Sequence, residues 1–562
     1  MVSKLFILGA TLHADQQRRR FHRDVQHVAN LQDMLLKKLL TRHAESDFGR
    51  AHGFADIKNP SEFARRVPIR NHGQFRPWLD RVFAGDAGAL FGRDQRMVMF
   101  ALSSGSTDQP KRIPVTPESL AAYCRGWNIF GIQAIRDHPS ALGRRILQVV
   151  SPMNEYRSPA GLPCGAISGL LAARQKSIVR RFYANPAVTA DIADSEARYY
   201  TIMRMAVPRD VAWIVTPNPA TTLRLVRTAA DHAERLLKDI RDGTLTPPGE
   251  IDPGIHKRLA ARLRRDAGSC ARLEAGIARD GKLLPRHYWR LSFLANWMGG
   301  TLRLYLHDFP RWFGEIPVRD IGLLATEGRI SIPLEDGSPA GVLDPRAAYF
   351  EFVAEHADGS NPKEVQRAHD LESGGVYRVV LTNAAGLYRY DLGDFVRVIG
   401  FMGEAPRLEF LHRGEAVASL CGEKLTEWQV LTAYEQVMAR LGYTGARFLV
   451  APVWDDPPFY RIWVECDDVL PVGFAALYDE VLTTLNMEYA SRRASRRLGP
   501  VELTVLPLGC LSAGDEQRRQ ARGAGHEQFK QRFLLTLPGA EKPFLGCHAE
   551  TTLLDRSTAV GW

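Results

Sequence analysis

Residues 387–398 read Leu387-Tyr388-Arg389-Tyr390-Asp391-Leu392-Gly393-Asp394-Phe395-Val396-Arg397-Val398. A dense aromatic and charged run passes through a glycine into an apolar β-like segment, Phe395–Phe401, which sets Asp394 at the mouth of a strand. A carboxylate there offers two acceptor oxygens and can take both hydroxyls of a ribose. Arg397, three residues on, is expected to face the phosphates of the same nucleotide. A surface salt bridge is the plainer reading of the same residues.

Upstream of this stretch, short β-like runs recur at Ile321–Ala325, Ala348–Val353 and Gly375–Thr382. Earlier, the apolar runs Val98–Leu102, Ile146–Val150 and Ala212–Thr216 alternate with segments of helical periodicity at Arg18–His43, Ser119–Ile135 and Leu223–Leu237. Strands alternating with helices predict an α/β domain of mixed sheets flanked by helices over residues 1–405. Gly400, Gly403, Pro406 and Gly414 then punctuate an expected hinge. Beyond it, a helix at Glu427–Leu441 and strands at Arg447–Pro452, Tyr460–Cys466 and Val501–Leu506 predict a smaller α+β domain over residues 406–562.

A chain of 562 residues exceeds what one hydrophobic core usually serves. The net charge of +10 is carried by scattered runs at Arg18–Arg20, Arg258–Arg272 and Arg492–Arg497, which read as solvated helix faces. No RNA-binding aromatic motif, zinc-finger spacing or basic zipper accompanies them, so no nucleic-acid partner is expected. The seven cysteines are dispersed, with no CxxC pair, as in a reduced cytoplasmic protein. The apolar run at Leu5–Leu8 is too short for a signal core, and no stretch approaches the ~20 apolar residues of a membrane helix. A cytoplasmic monomer with no membrane partner is the expectation.

Three further motifs carry chemistry. Ser103-Ser104-Gly105-Ser106-Thr107, with Asp108-Gln109-Pro110-Lys111 behind it, follows an apolar strand. Such a loop can turn backbone N–H groups inward as an anion nest, although many Ser/Gly runs are simple surface turns. The Walker spacing is absent. Ala325-Thr326-Glu327-Gly328 places a carboxylate at a strand end, where it can hold Mg2+ between phosphates or merely cap a turn. Lys424 and Lys530 lie past the expected hinge, and an ammonium there can neutralise charge building on a carboxylate and an α-phosphate.

In this order, the motifs resemble the adenylate-forming ligase superfamily, and within it the GH3 family of acyl-acid amido synthetases. The opening helix at Gln32, the element Phe48-Gly49-Arg50-Ala51-His52-Gly53-Phe54, Val67-Pro68-Ile69, the Ser103–Thr107 loop with Lys111 and Pro114, Tyr349-Phe350-Glu351-Phe352 and the stretch Tyr388–Phe401 all carry the resemblance. It implies a β-barrel-like element within the large domain and a mobile small domain. It implies ATP and Mg2+ as cofactors. Ser103, Ser104, Ser106, Thr107 and Thr326 would line the nucleotide site, Glu327 would bind Mg2+, and Asp394 the ribose. Arg397 and Arg413 would contact the nucleotide, Tyr349 and Phe350 would lie near the adenine, and Lys424 and Lys530 would be catalytic. The loop departs from relatives that often carry a glycine where Asp108 and Gln109 stand. The implied activity is activation of a small carboxylic acid as an acyl-adenylate, followed by amide formation with an amino acid. Thioester formation with coenzyme A, or a non-catalytic nucleotide-binding scaffold, are the competing readings.

Overall fold

The computed structural model describes residues 2–545 except 93–94, 104–110, 176, 356, 358, 415–416, 422, 444–446, 468–469, 472 and 522–531. The chain divides into two compact units, Met1–Arg413 and Gly414–Trp562.

The first unit holds a four-stranded parallel sheet whose strands, Arg145–Gln148, Val211–Val215, Phe293–Ala295 and Val318–Arg319, lie in chain order. Every residue of Val211–Val215 is buried, the signature of a strand covered on both faces. Helices including Ser195–Ala206 and Pro219–Asp231 supply that cover. A second, mixed sheet pairs Met99–Ser103 antiparallel with Lys111–Val115 and parallel with Pro163–Gly165.

The third sheet is antiparallel and seven-stranded, in the order Ser331–Ile332, Ala340–Leu343, Ala405–Arg413, Tyr390–Met402, Val376–Thr382, Tyr349–Ala354 and Val365–Arg367. Its two edge strands do not pair with each other, so the expected barrel-like element is an open sheet and no closed barrel forms among the described residues. Its long central hairpin crosses the expected hinge. Gly400 and Gly403 belong to paired strands or their turn, and the unit division falls only after Arg413.

The helix expected at Arg18–His43 is two helices, Val2–Asp24 and Val28–His43. The break is imposed by a distant turn. Glu404 donates its backbone N–H to the Val25 carbonyl, and its carboxylate accepts from the Ala29 N–H at 3.0 Å. Gly403, at φ 60°, makes the approach possible, since a Cβ there would stand 2.6 Å from the Val25 oxygen. Gln32 then fastens the second helix to the large sheet. Its amide donates to the carbonyls of Pro345 and Ala348, and its oxygen accepts from the Phe350 N–H.

The second unit packs the helix Glu427–Leu441 with a three-stranded sheet of Arg447–Val453, Phe459–Glu465 and Glu502–Leu506. A capping box of Thr426 and Gln429 starts that helix, and Gly442, at φ 70°, ends it. Among the described residues, no helix is long and apolar enough to cross a membrane.

Candidate nucleotide site

The site grows from the strand Tyr390–Met402. Burial alternates along it, so Tyr390, Leu392 and Asp394 lie on one face while Asp391, Phe395 and Arg397 lie on the other. Gly393 has φ 70°, and its N–H bonds the Asp391 carboxylate at 2.8 Å. Asp394 is buried at 4% exposure and stands directly opposite Arg413 on the neighbouring strand, whose Nε donates to Oδ1 at 2.8 Å. The eighteen residues between them form a hairpin, which turns a long sequence separation into an ion pair. Arg397 is cross-strand from Glu409. The pleat separates it from Asp394, so the two do not converge on one ligand from this strand.

Tyr390 begins the strand. Just upstream of it, the chain at Arg70 docks alongside. The Arg70 N–H donates to the Arg389 carbonyl, and the Asp391 N–H donates back to the Arg70 carbonyl. Asn71 then caps a helix through a capping box with Gln74, which sets His72 at the first helical position. His72 Nδ1 consequently lies 3.2 Å from the Tyr390 hydroxyl. Burial, with the charges of Lys111 and Arg76 behind it, pushes the His72 imidazole down to about 4, against the opposing Asp80. Burial and the charge of Glu327 hold the Tyr390 phenol far above its ordinary range.

Glu327 arrives from a third direction. Leu324–Ala325 and Gly328–Arg329 form a minimal hairpin with Thr326 and Glu327 at its tip. The hairpin is fixed by Asn383, which donates to the Glu327 carbonyl at 2.7 Å, and by the Tyr123 hydroxyl, which donates to the Ala325 carbonyl. The Glu327 carboxylate accepts from Tyr390 at 3.3 Å. It is 4% exposed, and among the described residues no cationic side chain pairs with it.

A buried carboxylate without a counter-ion is costly unless a cation completes the site. Among the described residues, no group of three or more His, Cys, Asp or Glu side chains could cage a metal. Glu327 by itself is compatible with Mg2+, which takes one or two carboxylates when nucleotide phosphates and waters fill the rest of its shell.

Lys111, buried and paired across its hairpin with Ser103, lies close enough for its charge to act on both His72 and Asp391. The base of the Ser/Gly loop therefore lies beside the Tyr390 cluster. Ser104, Ser106, Thr107 and Lys530 lie outside the described residues, as does the side chain of Ser103. Tyr349 and Phe350 are each 1% exposed within the large core, on successive and therefore opposite faces of their strand. Tyr349 meets Phe63 edge-on.

In the second unit, Lys424 is exposed and adopts φ 47°. The preceding Glu423 is fully buried. Its carboxylate accepts the N–H groups of Leu420 and Cys421 and the hydroxyl of Tyr460.

His72, Tyr123 and Asn383 carried no role in the sequence reading. Each acts through a contact with a residue far away in the chain, and no local spacing announces it.

Known proteins resemble this chain along most of its length. The GH3 family N-terminal, central and C-terminal domains match residues 17–318, 341–413 and 429–538. The chain is 24% identical over 515 residues to jasmonoyl–L-amino acid synthetase JAR6 of Nicotiana attenuata, covering 86% of this chain and 87% of that protein. It is 24% identical over 537 residues to indole-3-acetic acid-amido synthetase GH3.3 of Arabidopsis thaliana, covering 90% and 89%. In three dimensions it is similar to GH3.15 acyl acid amido synthetase, with a TM-score of 0.82 at 20% identity over 94% of this chain and 95% of that one.

Proposed function

The chain belongs to the GH3 family, and on that premise we propose that it activates a small carboxylic acid with ATP and joins it to an amino acid. In the first step a carboxylate oxygen attacks the α-phosphorus of ATP, forming an acyl-adenylate and releasing pyrophosphate. In the second the amine of an amino acid attacks the acyl carbon. The amide forms, AMP leaves and the amine proton is lost. Little covalent work falls to the protein, so catalysis is positioning and neutralisation of charge.

The observation that carries this reading is the convergence of four chain segments. His72, Lys111 and the Glu327 hairpin gather at Tyr390, and Asp394, with Arg413, stands four residues along the same strand face. The charge of Arg413 also acts on the Tyr390 hydroxyl, which ties the two halves together. Asp394 would accept the ribose hydroxyls and Arg413 would steady the nucleotide. Ser103, Ser104, Ser106, Thr107 and Thr326 would supply donors to the phosphates. Glu327 would hold Mg2+, which when bound neutralises phosphate charge. Lys424 and Lys530, from the C-terminal unit, would serve the two steps, with rotation of that unit between them. Tyr349 and Phe350 would lie near the adenine, and Arg397, on the strand face opposite Asp394, would reach the nucleotide only from that other side.

None of the six described cysteines forms a disulfide, which suits a reducing cytoplasm, and we place the enzyme there as a monomer. The acceptor is tested by product mass. Incubation with ATP, a panel of aryl, indolyl and fatty acids, and either amino acids or coenzyme A should yield amides. Thioesters without amides would overturn the choice of acceptor.

A further inference from the structure

The three groups His72, Tyr390 and Glu327 form a hydrogen-bonded line whose donors can be assigned by counting. A carboxylate offers only acceptors. The single proton of the Tyr390 hydroxyl must therefore point to Glu327 Oε1, 3.3 Å away. The Tyr390 oxygen can then only accept from His72 Nδ1, 3.2 Å away, so Nδ1 carries the imidazole hydrogen and Nε2 keeps its lone pair. Burial, with the charges of Lys111 and Arg76 nearby, keeps the imidazole neutral above about 4. The His72–Tyr390 spacing is at the upper limit for an N–H···O bond and the Tyr390–Glu327 spacing is beyond the usual O–H···O range, as is common where a site tightens only around its ligand. Every member is anchored from its own side. His72 is fixed by the capped helix start and the Arg70 pairing, Tyr390 by the sheet, and Glu327 by Asn383 and Tyr123 at its hairpin.

We propose that His72 and Tyr390 are positioning residues that aim the Glu327 carboxylate, so that its other oxygen is presented to the Mg2+ of the bound nucleotide. This rests on the reading of Glu327 as the metal ligand given above. The aim of that ligand is then set from outside the hairpin, by a helix start 255 positions earlier in the chain. Partners of this kind typically alter metal affinity by about 10–100-fold when removed.

The test is calorimetric binding of ATP to the full-length protein without any acid substrate, across a range of Mg2+ concentrations and in EDTA. Tyr390→Phe keeps the buried ring and deletes the hydroxyl. It should raise the Mg2+ concentration for half-maximal ATP binding by about tenfold or more, and leave ATP binding in EDTA unchanged. His72→Leu should act in the same direction. His72→Asn, whose amide N–H replaces Nδ1–H, should restore the wild-type Mg2+ midpoint, a rescue that a merely structural role for the ring would not give. A wild-type midpoint in Tyr390→Phe overturns the proposal, as does equal impairment in His72→Asn and His72→Leu. Glu327→Gln separates the two levels: a wild-type midpoint there removes Glu327 as the metal ligand itself. A shifted midpoint in Glu327→Gln with none in Tyr390→Phe removes only the line behind it.

Discussion

Two glutamates of the large unit are buried almost equally, Glu351 at 3% and Glu327 at 4% exposure, yet their described partners differ. Glu351 is matched. Arg389 reaches it through Nε at 3.0 Å and spends Nη1 on the carbonyls of Ala64 and Val67. Arg389 accepts a left-handed backbone, φ 46°, to do so. Glu327 has one tyrosine hydroxyl and no described cation. The partners are neighbours in sequence. Arg389 and Tyr390 precede a strand and begin it, and they lead to opposite sides of the sheet. The matched pair is a rivet between the N-terminal segment and the sheet. The carboxylate without a described cationic partner is open to a cationic ligand, as the proposed metal role requires.

This contrast can be broken by substitution. Arg389→Leu strands a buried carboxylate and should cost about 3–5 kcal/mol in urea-induced unfolding. A loss below about 1 kcal/mol would show that Glu351 needs no counter-ion and would dissolve the distinction. Glu327→Gln should do the reverse. Removing an uncompensated charge should leave the urea midpoint unchanged or raised, while adenylation, followed as pyrophosphate exchange, falls about 100-fold. If Glu327→Gln unfolds the protein, the residue is structural like Glu351.

His43 sharpens the comparison from the side of a neutral group. It is fully buried, its Nδ1 accepts the Gly92 N–H, and burial pushes its imidazole down to about 4. The unfolded chain titrates near 6.5, so between those values unfolding takes up a proton and acid favours the unfolded state. The penalty is absent above pH 6.5 and grows as the pH falls toward 4, reaching about 2 kcal/mol at pH 5. His43→Asn keeps an acceptor for Gly92 and does not titrate. Its stability should therefore change less than that of the wild type between pH 7 and pH 5. Equal slopes would contradict the assignment.

What the sequence disclosed follows the range of the interactions responsible. The helix Glu427–Leu441 was legible to its end residues because its capping box and C-terminal glycine are local. The break at Val25–His27 was not, because its cause is the turn at Gly403–Glu404 on another element. The site divides in the same way. In the sequence, Glu327 and Asp394 read as carboxylates at strand ends, which suggests a use, whereas Arg413 entered only through the family resemblance. His72 becomes meaningful only once Arg70 pairs beside Arg389 and Asp391. Arg397 was grouped with Asp394 by proximity in sequence, whereas a strand's period of two sets residues three apart on opposite faces. The barrel-like expectation failed at closure, which depends on whether two edge strands far apart in the chain meet.

Adenylate formation is the central step of the proposed reaction. Exchange of labelled pyrophosphate into ATP, screened over aryl, indolyl and fatty acids, should be dependent on one class of acid and on Mg2+, and should need no amino acid. Absence of exchange with every acid, by protein that still binds ATP, would contradict it and leave a nucleotide-binding scaffold in its place.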